Sequence, residues 1–276
     1  MSDVARPPLI DTHAHLQDPL FDDDRGDVLA RAQAAGLRAV ICVGYDLDSS
    51  RRAVELSARH PLVYAAVGIH PNYASRPTAA DWAAIRDLAQ RPKVVGVGET
   101  GLDNYRKYTP PDIQETWFRR HLDLAGELGL PVIVHNRQAD ERIRAVLEEW
   151  TSGLSRGRPP GVMHCFSSGR AMLEACLALG FVISLAGNLT FKNADPLRAV
   201  AKAIPAGRLV VETDCPFLAP HPHRGERNEP AYVEHTARRL AEERGEPFAQ
   251  LAEFTTRTAA ALFGLEAAER RRVEMA

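Results

Sequence analysis

The chain has 276 residues, 45% of them hydrophobic and 25% charged, with a formal net charge of -2 at pH 7. That size and apolar content support one large core, and barrels of this length are ordinary single domains. The balance of charge excludes a surface that is basic throughout, so an anionic substrate needs local cations: particular arginines or metal ions.

The N-terminal segment MSDVARPPL lacks an apolar signal core. The first predicted strand is LIDTHAHL, followed by a helix over 25–35 and the strand LRAVICVG. A helix over 49–59, the strand VYAAVGIHP, a helix over 79–90 and the strand VVGVGETGLD come next. Then follow a helix over 112–127, the strand PVIVHNR, a helix over 139–150 and the strand GVMHCFS. The series ends with a helix over 170–179, the strand FVISLAG, a helix over 195–203 and the strand RLVVETDCPFL. The strands are short, nearly continuous apolar runs, as expected where both faces are covered. The helices repeat apolar residues at helical intervals. Gly36, Gly129 and Gly180 stand where helices should stop.

After the eighth strand a loop containing Pro and Gly runs to Pro230, and two more helices cover 231–244 and 247–263. Residues 265–276 read as a charged tail, with Arg270, Arg271 and Arg272 on a solvated helix end. The reading is α/β: a TIM-like (β/α)8 barrel in one domain, 1–276, with its core at about 9–264. No apolar run approaches the roughly 20 residues that span a bilayer. Cys42, Cys165, Cys176 and Cys215 show neither CxxC spacing nor a disulfide framework. A cytoplasmic protein with reduced thiols and no obligate protein partner is expected.

The chemistry gathers at the strand ends. His13, His15, His70, His135 and His164 each close an apolar run, as do Glu99 and Asp214. In a parallel barrel the C-terminal strand ends meet at one mouth, so residues far apart in sequence can form one metal site. Residues two apart in a strand share a face. Asp11, His13 and His15 should therefore point one way, and so should His135 with Arg137 and Glu212 with Asp214. By the same alternation, Cys165 and Cys215 should face the helix layer. His60, His121 and His235 fall on helices, and His221 and His223 in a loop; all five read as surface or capping residues. His70, Arg106 and Arg137 are candidates to hold an anion, Arg137 because strand alternation fixes its direction. Glu212 belongs with them as a ligand, an orienting group or a proton acceptor, or else as the buried partner of an arginine. The loop aromatics Tyr73, Tyr105, Phe166, Phe191 and Phe217 are expected mainly to roof the barrel.

The segments DTHAHL, VGIHPN, VGVGETGLDNYR, PVIVHNR, MHCFSS, SLAGNLTFKNA, VVETDCPFLAP and RGERNEPAYV together resemble the TatD-type hydrolases of the metallo-dependent hydrolase superfamily. The resemblance implies a TIM-like barrel with metal-dependent nuclease activity. It places the ligands on His13, His15, Glu99, His135, His164 and Asp214, with Glu99 bridging two ions. Related amidohydrolases often use a carboxylated lysine there, and this strand has none. The expected reaction is phosphodiester hydrolysis by a metal-activated water, with Asp214 as ligand and general base and Glu99 shaping the centre. DNA is the expected substrate, RNA a second possibility, and trimming from an end is favoured over internal cutting. Imidazole ligands suit Zn, Mn or Fe, whereas Mg prefers oxygen. The resemblance favours Mg, so Mg or Mn is expected, with Zn open. The alternative is metal-dependent hydrolysis of an ester or amide, such as an aminoacyl-nucleic acid.

Overall fold

A computed structural model describes residues 6–154 and 157–268. Eight strands alternate with helices: β1 (Leu9–Ala14), α1 (Arg25–Ala34), β2 (Leu37–Val43), α2 (Leu47–Arg59), β3 (Val63–Val67) and α3 (Ala79–Leu88). They continue with β4 (Val94–Asp103), α4 (Pro111–Leu128), β5 (Val132–Arg137), α5 (Asp140–Ser152), β6 (Gly161–Met163) and α6 (Arg170–Ala178). The last are β7 (Val182–Leu185), α7 (Asp195–Ala201), β8 (Leu209–Val211), α8 (Val233–Arg244) and α9 (Phe248–Phe263). The strands pair in sequence order, each neighbour parallel. The seam between β8 and β1 is drawn together at the mouth. There the Asp214 N–H donates to His13 O at 2.9 Å and the His15 N–H donates to Cys215 O at 2.8 Å. This is a TIM (β/α)8 barrel.

Local chemistry sets the element ends. Asp46 and Thr78 begin α2 and α3 with capping boxes, which satisfy otherwise unpaired N–H groups. Gly129 ends α4 in the left-handed region, φ 64°, where a residue without Cβ meets no penalty. The sixth and eighth strands are shorter than the apolar runs implied, ending at Met163 and Val211. Beyond them Cys165 and Asp214 adopt positive φ, which turns the chain out of the pleat.

The strands have two apolar faces. One packs against the helices; the other, including Ile10, Ile41, Tyr64, Val95, Ile133, Val162, Val182 and Val210, fills the barrel. Ala259, Leu262 and Phe263 of α9 close that interior from the N-terminal end. Packing continues past Gly264, where the sequence pattern implied a tail: Leu265 is 7% exposed and Ala268 0%. Residues 269–276, with the three arginines, lie outside the described residues. No helix among the described residues is long and apolar enough to cross a membrane.

Candidate metal centre

The first strand brings its histidines to the mouth by an irregular route. Ile10 faces the barrel interior, and Thr12 reaches across it to Ser184 Oγ at 3.2 Å and Val211 O at 3.0 Å. The pairing of β1 with β2 then slips between Asp11 and Ala14. Asp11 is left with β8, where it accepts from the Thr213 N–H (2.9 Å) and the Thr213 hydroxyl (2.5 Å). The expectation that Asp11 shares a face with His13 and His15 is thus corrected by the slip, because alternation holds only while register is kept.

His13 Nε2 and His15 Nε2 lie 3.3 Å apart. The His15 Nδ1–H donates to Val43 O at 2.8 Å, which leaves the Nε2 lone pair turned toward its neighbour. Two ring nitrogens this close either share a proton, with His13 Nε2–H donating to His15 Nε2, or turn both lone pairs toward a cation. Their spacing matches two ligands on one ion, each roughly 2.0–2.1 Å from the metal as imidazoles bind zinc.

Glu99, at the far end of β4, divides its two oxygens. Oε2 lies 3.3 Å from His13 Nε2 and 3.9 Å from His15 Nε2. Oε1 lies 2.9 Å from His135 Nδ1 and 3.4 Å from His164 Nε2. Asp214 Oδ1 stands 3.5 Å from His15 Nε2 and 3.8 Å from His13 Nε2. Ligand atoms within 4.8 Å of one another form the groups His13–Glu99–His164, His13–His15–Asp214 and His70–Glu99–His135. All six ligand candidates named from the sequence therefore converge. In the third group His70 accepts the Asn72 N–H on Nδ1 at 3.0 Å. Its proton must then sit on Nε2, 3.5 Å from Glu99 Oε1. In that tautomer His70 is a donor and not a ligand.

The charge in this pocket is unbalanced in a way that invites a cation. Burial opposes charge at every member, yet His164 is pushed up to about 10 by Glu212, Glu99 and Asp214. His15 and His135 are also raised by carboxylates, while Glu99 is held well below the usual range by the imidazoles around it. The carboxylates thus demand positive charge among nitrogens whose lone pairs can bind metal. The residues fit a divalent ion.

Around the ligands stand three supporting residues: Glu212, for which the sequence left several roles open, Asp103, which it passed over, and His121, which it read as a surface or capping residue. Glu212 is 1% exposed and stands beneath His164: Oε1 lies 2.8 Å from His164 Nδ1 and accepts the Cys165 N–H at 2.7 Å. Oε2 accepts the Ser184 hydroxyl at 2.6 Å. Glu212 is therefore outside the set that could touch a phosphate; it orients His164. Asp103 does the same for His135 at 3.2 Å from Nε2, and its position two and four residues beyond Gly101 and Glu99 was the overlooked signal. His121 is 0% exposed and not a surface residue. Its Nδ1–H donates to Trp117 O and its Nε2 accepts the Ile69 N–H at 3.0 Å, just before His70. Its place on the apolar stripe of α4, beside Trp117, Phe118 and Leu122, was the available clue.

The ligands open into a cavity of about 480 Å³ whose wall includes His70, Arg76, Arg106, Tyr108 and Phe217. Arg106 is thus at the centre, and Arg76 joins it unforeseen. Arg137 lines a neighbouring cavity of about 740 Å³ with Asn104, Asn136 and Ser168. It shares a strand with His135, but it sits at the rim, where its guanidinium lies 4.8 Å from the Tyr105 ring centre. Cys165 departs from alternation: its φ of 45° brings it within 4.8 Å of ligand atoms of His164 and Asp214. Burial and the nearby carboxylates keep its thiol protonated.

The family described as TatD related DNase matches residues 10–264. "Uncharacterized metal-dependent hydrolase YabD" of Bacillus subtilis is 42% identical over 92% of this chain and 98% of its own. "3'-5' ssDNA/RNA exonuclease TatD" of Enterobacter lignolyticus is 40% identical over 93% of this chain and 99% of its own. The crystal structure of the TatD homologue YJJV from Escherichia coli superposes with a TM-score of 0.87 at 29% identity, covering 93% of this chain and 98% of that one. With its barrel, its strand-end ligands and these relatives, the chain belongs to the TatD related DNase family of metal-dependent hydrolases.

Proposed function

We propose that this protein is a metal-dependent exonuclease that trims single-stranded DNA or RNA from the 3' end. The observation that carries the metal reading is the division of Glu99, one oxygen toward His13 and His15 and the other toward His135 and His164. His13, His15, Asp214 and Glu99 Oε2 would hold one ion. His135, His164 and Glu99 Oε1 would hold a second. Mg or Mn is the favoured metal, with Zn suited to the imidazoles. Such ions polarise a phosphoryl oxygen and make attacking water acidic.

The protein groups supply the rest. Asp214, ionised and the most accessible carboxylate of the set at 15% side-chain exposure, accepts the proton of the attacking water. The His70 Nε2–H and Arg106 hold phosphoryl oxygens, which a guanidinium does in a fixed fork. The direction of trimming and the single-stranded substrate rest on the name of the Enterobacter relative. The four free cysteines fit a reducing, cytoplasmic setting.

The test uses oligonucleotides, single- and double-stranded, labelled at either end and incubated with protein loaded with Mg, Mn or Zn. A ladder shortening from the 3' end supports the proposal. Internal fragments make the enzyme an endonuclease. Intact nucleic acid together with hydrolysis of an aminoacyl ester would replace it with the acyl reading.

A further inference from the structure

The face around the barrel mouth differs from the rest of the surface. Among the described residues the exposed large hydrophobics are Leu20, Tyr105, Tyr108 and Phe217, and each follows the C-terminal end of a strand. Arginines stand against aromatic rings on the same face. Arg76 lies 5.1 Å from the Tyr73 ring centre, Arg106 5.7 Å and Arg137 4.8 Å from that of Tyr105. Arg224 lies 3.7 Å from the centre of Phe191. Among the described residues no carboxylate pairs with these four; some arginines elsewhere are also without one, while others, such as Arg31 and Arg198, are paired. A chain of net charge -2 thus sets four guanidiniums without a carboxylate partner against the aromatic rings of its barrel mouth. Interleaved cations and exposed rings are what a single strand of nucleic acid requires, because every base offers a π-face and every linkage a negative charge.

One member is best placed. Tyr105 is 52% exposed. Its loop puts Asn104 on the larger cavity and Arg106 on the ligand cavity. Arg137 braces the ring from β5. Beyond the ring, the larger cavity is lined by Asn104, Asn136 and Ser168, whose amide N–H and hydroxyl groups donate to Gln138 O and Asp140 and whose oxygens remain as acceptors. Two carboxylate residues also line it, Glu141 and Asp140, and Asp140 is engaged by Asn136 (2.7 Å) and Ser168 (2.7 Å). Such a wall suits a base edge without selecting one base.

Building on the nuclease reading, we propose that Tyr105, braced by Arg137, is a stacking plate for the nucleotide adjoining the scissile linkage, and that the cavity beside it seats that nucleotide. Its role is to hold the strand, so it acts on polynucleotides and not on small diesters.

The experiment compares kcat/KM on a single-stranded oligonucleotide with kcat/KM on bis(p-nitrophenyl) phosphate, using the metal-loaded full chain. Tyr105→Ala lowers the ratio of the two roughly tenfold, as expected for loss of one base–aromatic contact. Tyr105→Phe restores it, since stacking needs the ring and not the hydroxyl. Arg137→Ala lowers the ratio by a smaller factor, mainly through KM on the oligonucleotide. Both side chains are exposed, so the variants fold. An unchanged ratio in Tyr105→Ala overturns the plate while leaving the nuclease reading intact. Wild-type protein that cuts the small diester but no nucleic acid overturns the nuclease reading itself, and the plate with it.

Discussion

The floor and the mouth of this barrel are built from the same strands, one pleat apart. Ile133 becomes His135, Val162 becomes His164, Val182 becomes Ser184 and Val210 becomes Glu212. Both layers are buried: Ile133 and Val210 are 0% exposed, but so is His13, and Glu99 is 3%. Burial therefore does not separate stability from function. The floor gains roughly 1.5–3 kcal/mol for each large aliphatic side chain removed from water. The mouth removes charge from water, which costs several kcal/mol per ion unless partners compensate. A mouth of this kind stands only on a floor that offsets it.

The sharpest way to break this division is Glu99→Ala. Turnover should fall on the order of 10³ or more, because the lost carboxylate faces both ligand groups and metal catalysis supplies several kcal/mol. Metal analysis after desalting should show both ions lost, whereas His15→Ala should weaken one and spare the other. Full metal content in Glu99→Ala would end the bridging assignment.

Next comes Asp214→Asn, which keeps shape and removes the proposed proton acceptor. Single-turnover rates on DNA should drop by about 10²–10⁴. A rate near wild type would move that role elsewhere.

The floor is tested by Ile133→Ala. Urea unfolding should show a loss of about 2–5 kcal/mol, the range for deleting a buried aliphatic side chain. Metal stoichiometry should be unchanged. A variant that lost metal without losing stability would show that floor and mouth are not separable as described.

Asp103→Asn addresses the layer between. It keeps a hydrogen-bonding oxygen but removes the charge behind His135, so metal affinity should fall about 10–100-fold. Titration calorimetry would measure it, and unaltered affinity would leave Asp103 with the loop contacts it also makes to the Tyr105 and Arg106 N–H groups.

The smallest effect concerns pH. Burial pushes His121 down to about 4, below its value of 6.5 in an unfolded chain. Between those values the unfolded state binds more protons, so stability falls as pH drops from about 6.5 toward 4. Over the whole range the contribution is on the order of 3 kcal/mol, and between pH 7 and pH 5 about 2 kcal/mol. His121→Gln keeps an acceptor for the Ile69 N–H and removes the titration. Its unfolding midpoint should vary less than wild type between pH 7 and pH 5; parallel curves would assign the acid sensitivity to other groups.

The barrel and its seven strand-end candidates were legible in the sequence because both depend on local regularities, and the family resemblance reduced the seven to six ligands. Apolar runs of strand length alternate with helical periodicity, and each candidate closes such a run. Alternation also pointed Arg137 and His135 to one side, yet His135 lines the ligand cavity and Arg137 the neighbouring one. It failed where the pleat stops: Asp11 at a slip in register, Cys165 at a positive φ two residues past its strand. For Glu212 the sequence left several roles open, the orienting one among them, and for Asp103 it gave none. That Glu212 stands beneath His164, across 48 residues of chain, is a contact between strands and is written in neither segment. The same holds for His121, which looks like a helix residue until α4 docks it against the end of β3.

By itself, then, the sequence determined which side chains reach the mouth, since strand period and strand length are properties of neighbouring residues. Only the tertiary structure decided which Glu99 oxygen meets which imidazole, that His70 carries its proton on Nε2, and that Arg106 and Arg137 serve different cavities. Those outcomes depend on distances of a few ångströms between segments far apart in the chain, and they are set by how eight strands close on one another and not by any one of them.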